Sequence, residues 1–147
     1  MPAILFLCTG NSIRSQMAEA FFRKEVQGAW DVHSAGVAAS RVHPLTVLIM
    51  EESGFDLTKA RSKNVAEIPS ESIDYLVTLC GHAQETCPAV LLGKAREHWP
   101  IDDPIRFATS EAMLIARFRD CRDEIERRVK ELARKLTERR ELYPPKG

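Results

Sequence analysis

The first strong apolar run, Ala3-Ile4-Leu5-Phe6-Leu7, is continuous rather than alternating and has the length of a strand. Such runs suit a strand covered on both faces, as in a parallel sheet. The period then changes. After the polar turn Cys8 to Ser12, the side chains Met17, Ala18, Phe21, Phe22 and Val26 share one face of a helix predicted from about Ile13 to Gln27, with Gly28 past its end. Trp30 to Ser34 reads as a second strand. Pro44 at a first helical position, the apolar stretch Leu45 to Met50 and a closing Gly54 mark another helix. Ile73 to Leu79 reads as a third strand, and a short fourth is predicted near Glu97-His98-Trp99. Leu114, Phe118, Cys121, Ile125, Val129, Leu132 and Leu136 recur at helical spacing and predict a long C-terminal helix. Strands alternating with helices predict an α/β class. The expected architecture is a single doubly wound domain over residues 1–147, with a four-stranded parallel sheet flanked by helices and a loose tail from about residue 143.

Composition narrows the function classes. The chain has 147 residues, enough to bury one sizeable core. Its 21 Lys+Arg balance 21 Asp+Glu, so there is no electrostatic case for nucleic acid or an anionic membrane surface. The charge run Arg134 to Glu141 is of mixed sign and reads as a solvated helix face. No apolar run approaches the roughly 20 residues of a membrane span. The N-terminus has no basic n-region, so a signal peptide is not expected and the chain is expected in the cytoplasm. Four cysteines in such a chain argue against a disulfide framework. In a reducing compartment they are structural thiols, metal ligands or reactive groups. Cys80, Cys87, His82 and His98 lack the close Cys pairing of a zinc knuckle, so no metal is expected, and no cofactor either. Cys121 lies on the apolar stripe of the last helix and belongs to the core.

In a doubly wound sheet, ligands bind beyond the carboxyl ends of the strands. Cys8 follows strand one and Cys80 follows strand three, so both fall on that edge. In Cys8-Thr9-Gly10-Asn11-Ser12-Ile13-Arg14-Ser15, the cysteine meets backbone N–H groups and the positive end of a helix dipole, which favour a thiolate. The N–H groups of Thr9, Gly10, Asn11, Ser12 and Ile13 can cradle a tetrahedral oxyanion. Gly10 permits close approach and Asn11 tolerates a left-handed conformation. Arg14 can fork two donors onto two anion oxygens, and Ser15 can donate to the thiolate. An ordinary turn with an incidental cysteine and a surface arginine is the bland alternative, and the strand–loop–helix context outweighs it. Further on, Asp102 and Asp103 stand between Pro100 and Pro104. A carboxylic acid on so stiff a loop can protonate a leaving oxygen, although Asp-Pro turns are common in any protein.

The signature Cys-x5-Arg-Ser at Cys8, followed by Gln16-Met17-Ala18-Glu19, together with Ser34-Ala35-Gly36 and Asp103-Pro104, resembles the low-molecular-weight protein tyrosine phosphatase family. Within it, the chain resembles the thioredoxin-coupled arsenate reductases, to about residue 135. The resemblance implies that Cys8 is the nucleophile, Arg14 the oxyanion clamp, and Asp103 rather than Asp102 the general acid. A lone cysteine can exchange an ester, but reduction needs two electrons from a second thiol. Cys80 and Cys87 match the reductases' redox pair, which phosphatases of the fold lack. The resemblance therefore implies arsenate as substrate, a Cys8–Cys80 disulfide as arsenite leaves, and transfer through Cys87 to thioredoxin. Mycothiol or glutaredoxin fits a three-cysteine pattern less well. A phosphatase of the same fold is the alternative, with weak phosphatase activity expected in either case. A non-catalytic oxyanion sensor fits poorly with Cys8, Arg14 and Asp103 all present.

Further expectations follow. Seven residues of helix rise about 10.5 Å, whereas a disulfide needs Cα atoms roughly 4.4–6.8 Å apart. Cys80 and Cys87 thus cannot bridge within an intact helix, and a rearrangement of about residues 80–98 is predicted on oxidation, eased by Gly81. Ile13 replaces a cysteine that many relatives carry. Ile105-Arg106 follow the Asp-Pro pair where tyrosine phosphatases place aromatic residues, which argues against phosphotyrosine. Some reductases bind potassium through an Asn, a Glu, a Ser and an Asp. Asn11, Glu19 and Ser34 match, but Lys63 stands near where the Asp would be, so no potassium requirement is expected.

Overall fold

In a computed structural model the described residues are 1–144. Strand β1, Ala3–Cys8, is buried along its whole length, as its unbroken apolar run requires. It leads through the loop 9–13 into helix α1, Arg14–Val26. Strand β2 (Asp31–Gly36), helix α2 (Pro44–Glu52) and two short 3-10 turns lead to strand β3, Tyr75–Thr78. Two short helices follow, α3 (Gly81–Glu85) and α4 (Ala89–Leu92), then strand β4, Ala95–His98, and the long helix α5, Glu111–Glu138. All neighbouring strands are parallel, in the order β2-β1-β3-β4. The order reverses direction between β1 and β3, the position at which such sheets open a ligand crevice beyond the strand ends. Cys8 ends β1 and Cys80 lies just past β3, so the two thiols flank that crevice.

Alternation along β1 splits the core. Ile4, Phe6 and Cys8 join the apolar layer beneath α1, α2 and α5, whereas Ala3, Leu5 and Leu7 join the opposite layer with Ala83 and Leu91. Phe6 packs edge-on against Phe22 at 5.5 Å and lies 5.8 Å from Trp99. The predicted C-terminal stripe is the buried face of α5, which begins where the Ser110 side chain accepts the Met113 N–H.

Several boundaries differ from those the pattern predicts. Trp30 lies outside β2 and packs 6.1 Å from Phe22. The strand runs on to Gly36 because that residue pairs beside Cys8. The fourth strand lies earlier than predicted, leaving Trp99 just beyond it. Tyr143 packs 5.3 Å from Trp30 and 6.1 Å from Tyr75, while residues 145–147 of the expected tail lie outside the described residues. No single helix runs through both redox cysteines. Cys80 is the N-cap of α3, the helix stops at Glu85, and Cys87 lies in the connection to α4. Among the described residues no helix is long and apolar enough to cross a membrane.

Candidate active site

The loop after β1 is held by its carbonyls. Cys8 O accepts from Val37 N–H at 3.0 Å, and Thr9 O from Ala38 N–H at 2.8 Å. Gly10 O accepts from Ser40 N–H at 3.0 Å and from the Ser62 hydroxyl at 2.6 Å. Asn11 O accepts from the Ser62 hydroxyl at 2.9 Å and from Gln16 Nε2 at 3.2 Å. Ser12 O accepts from His43 N–H at 3.1 Å and from the Thr46 hydroxyl at 2.9 Å. In a trans peptide the N–H points opposite its carbonyl. Five carbonyls fastened outward therefore turn the N–H groups of residues 9 to 13 toward the inside of the loop. That arrangement is a concave anion cradle, and α1 adds the positive end of its dipole. No side chain caps α1, which leaves its first N–H groups to the same concavity.

Gly36 lets the loop close on β2. A Cβ there would lie 2.4 Å from Thr9 O and 2.8 Å from Asn11 N. Asn11 sits at the centre, fully buried, with a left-handed φ of 49°. Its amide uses its full inventory. Nδ2 donates to Ser15 Oγ at 2.8 Å and to Ser34 Oγ at 3.0 Å, and Oδ1 accepts from Gln16 Nε2 at 2.9 Å and Lys63 N–H at 2.8 Å. Because Ser15 Oγ already accepts from Asn11, its own proton is free for Cys8 Sγ, 2.8 Å away. Ser34 in turn donates to Glu19, and the Lys63 ammonium lies 3.8 Å from the Glu19 carboxylate. A cation thus stands at the far end of the chain of bonds that begins at the Cys8 thiol.

Arg14 opens α1, and its Nη1 donates to Ile101 O at 2.8 Å and to Leu79 O at 3.3 Å. Two carbonyls from different segments aim the guanidinium, whose remaining donors stay available for an anion. Ile101 leads directly to the loop that carries Asp102 and Asp103. Asp103 Oδ1 accepts from Ile105 N–H at 2.9 Å, which fixes the side chain over its own turn. A cavity of about 580 Å³ separates this loop from α5, bordered by Asp103, Phe107, Arg117 and Cys121. Phe107 is 75% exposed with φ 62°. The loop after Asp103-Pro104 therefore does carry an aromatic ring, immediately after the Ile105-Arg106 pair at which a tyrosine phosphatase would be expected to show one.

The cysteines divide as their surroundings dictate. Cys80 Sγ lies 3.2 Å from Thr9 Oγ1 on the rim of the cradle and accepts from Ala83 N–H at 3.3 Å. It packs against both apolar layers, Cys87 only against the second. Burial pushes the Cys87 thiol up, partly offset by Arg96. Cys121 is buried as expected, and desolvation pushes its thiol up to about 12, so it stays protonated near neutrality. Among the described residues no cluster of three or more side chains is arranged to hold a metal. The residues that fasten the cradle from outside, Ser62, Thr46 and His43, carry no local sequence signal. The His43-Pro44 start of α2 is the nearest to one, since His43 Nδ1 caps the helix by accepting from Leu45 N–H at 3.0 Å.

Residues 3–142 match the family described as low molecular weight phosphotyrosine protein phosphatase, and the chain belongs to it. A relative named arsenate reductase from Halalkalibacterium halodurans is 45% identical over 130 residues, 88% of this chain and 94% of its own. The arsenate reductase of Bacillus subtilis is 42% identical over the same shares. Among solved structures, an arsenate reductase in the phosphate binding state superposes with TM-score 0.79 at 31% identity, covering 92% of this chain and 99% of its own. A YwlE arginine phosphatase with a phosphorylated active-site serine also superposes at 0.79, at 26% identity, over 95% of this chain and 99% of its own.

Proposed function

We propose that the protein reduces arsenate to arsenite in the cytoplasm through a relay of Cys8, Cys80 and Cys87, with thioredoxin as the reductant. The observation that carries this reading is the second thiol, Cys80, on the rim of the cradle. The Cys8 thiolate attacks arsenic(V) in the cradle while Asp103 protonates the departing oxygen, which leaves as water. The cradle N–H groups and Arg14 stabilise the charge on the remaining oxygens. The Cys80 thiolate then attacks Cys8 Sγ. The S–As bonding pair stays on arsenic, arsenite leaves, and a Cys8–Cys80 disulfide forms. Cys87 attacks Cys80 Sγ, releasing the Cys8 thiolate and forming Cys80–Cys87. A dithiol of the thioredoxin type supplies the two electrons that restore both thiols. Burial pushes the Cys87 thiol up, so exposure on opening of its segment favours the attacking thiolate. The short helices α3 and α4 support such an opening, since few hydrogen bonds are lost when they unwind. Lys63 beside Glu19 supports turnover without potassium.

The second reading is a phosphatase using the same Cys8, Arg14 and Asp103. It is favoured by the likeness to the arginine phosphatase and by the exposed Phe107 ring beside the acid loop. Cys80→Ser separates the two. Arsenate-dependent NADPH consumption with thioredoxin and thioredoxin reductase should vanish in this variant, while hydrolysis of a phosphoester is retained. Arsenate turnover that survives the substitution overturns the relay.

A further inference from the structure

The chain segment that must move during the relay runs straight into residues that must not. Residues 81–96 comprise two short helices and the exposed start of β4. Residues 99–103 supply the carbonyl that aims Arg14 and the acid Asp103. Only Glu97 and His98 lie between. Glu97 has an unusually full set of partners for a strand residue near an edge. Its Oε2 accepts from Lys135 Nζ at 2.8 Å and from the Tyr75 hydroxyl at 3.2 Å, and its Oε1 accepts from Trp99 Nε1 at 2.9 Å. Lys135 thereby leaves the solvated face predicted for its charge run and is turned onto the sheet. Its ammonium also lies 6.0 Å from the Tyr75 ring centre. Burial and the Glu97 charge push the Tyr75 phenol up, so it keeps the proton it donates. Beside this cluster, His98 Nδ1 and Thr78 Oγ1 lie 2.8 Å apart, Trp99 N–H donates to Thr78 O at 2.8 Å, and the Trp99 ring is buried.

We infer that Glu97 is a positioning residue, a clamp tied to β3 and α5 that ends the redox-driven rearrangement and keeps Arg14 and Asp103 in place while residues 81–96 open. The inference rests on the relay reading. It narrows the moving segment from the 80–98 expected from the cysteine spacing. Contacts to β3 and α5, with a third to Trp99 two residues on, resist displacement together, whereas α3 and α4 each hold only a turn or so of helix. The Arg14 guanidinium has one anchor on each side of the moving segment, Leu79 O before it and Ile101 O after it. When Cys80 shifts toward Cys8, the Leu79 anchor is disturbed, and the clamp secures the other.

Amide exchange followed by mass spectrometry tests this on the reduced protein and on protein oxidised with diamide. In the wild type, oxidation should speed exchange across 81–95 and leave the Trp99 and Ile101 amides unchanged. In oxidised Glu97→Ala the fast region should extend to Asp103, with those amides exchanging about tenfold faster, the weight of one ordinary hydrogen bond. Glu97→Gln keeps an acceptor for Trp99 and should restore much of the boundary. Lys135→Met, which removes one contact and leaves the strand intact, serves if Glu97→Ala does not fold. A merely structural role would instead speed exchange equally in both redox states. An oxidised wild type that loses protection through 99–103, or a Glu97→Ala boundary that does not move, overturns the inference. Arsenate in place of diamide isolates the relay. If diamide forms the Cys80–Cys87 bond and arsenate does not, the reductase reading fails while the clamp is still measured. If neither forms it, both fail.

Discussion

Gly36→Ala is a small substitution far from Cys8 in sequence, and it should be among the most damaging to turnover. Gly36 pairs with Cys8 at the end of β2 and passes directly against the cradle. An added Cβ would lie 2.4 Å from Thr9 O, 2.8 Å from Asn11 N and 2.9 Å from Gly10 C. All three atoms are backbone, so no flexible side chain can yield. Thr9 O must retreat by about 0.6 Å to reach the closest contact real Cβ atoms make, and by about 1 Å for a comfortable one. That carbonyl is opposed from outside by Ala38 N–H at 2.8 Å, so the retreat also breaks or strains a bond that orients the Gly10 N–H. A misplacement of about 1 Å in a catalytic constellation can cost roughly 100-fold in rate. Overpacking costs typically 1–3 kcal/mol of stability. The assay is kcat/KM for arsenate at a temperature well below the variant's own midpoint, with thermal melts alongside. The expected result is a fall of about 10-fold to 100-fold in a folded protein. A Gly36→Ala protein that is folded and keeps kcat/KM within about twofold would refute the claim that this close approach sets the cradle.

Other outcomes follow from the same geometry. Asn11→Asp keeps two acceptors but cannot donate to Ser15 and Ser34, so kcat should fall about 10-fold to 100-fold; a wild-type kcat would show that the Asn11–Ser15–Cys8 chain is idle. Exchanging potassium for choline should leave turnover unchanged, because Lys63 already faces Glu19, and Lys63→Asp should create a cation dependence visible in the same assay. Arg119 and Arg122 hold the Glu52 carboxyl down from 4.5 to about 2. A depressed carboxylate contributes stability that is complete above its unfolded value and is lost as pH falls from about 4.5 toward 2. Denaturant melts of Glu52→Gln should therefore show a shallower loss of stability through that window; an unchanged pH profile would mean the exposed pairs add nothing.

Much of the fold was written locally. β1 is recognisable because six buried residues in a row leave no polar face, and α5 because its apolar positions repeat at the helical period. The cradle was legible because cysteine, the turn, arginine and the helix start are contiguous. Where local pattern misled, tertiary contacts had overridden it. Trp30 is apolar but packs outside the strand, and Lys135 sits in a charged run yet reaches Glu97. Cys80 and Cys87 have a helix-like spacing, but a helix starting at Cys80 ends before Cys87.

The sequence by itself determined the order of strands and helices, the residues that meet at the carboxyl edge of β1, and the thiols available for a relay. Those depend on periodicity and adjacency, which short windows of sequence carry. Only the tertiary structure decided how the cradle's carbonyls are held, why residue 36 is glycine, and which groups gather around Glu97. Ser62 reaches Gly10 across 52 positions, and Lys135 reaches Glu97 across 38. Such bonds depend on direction and distance between segments that the chain brings together only on folding. A hydroxyl or ammonium that makes one looks, along the sequence, like any other polar residue on a surface.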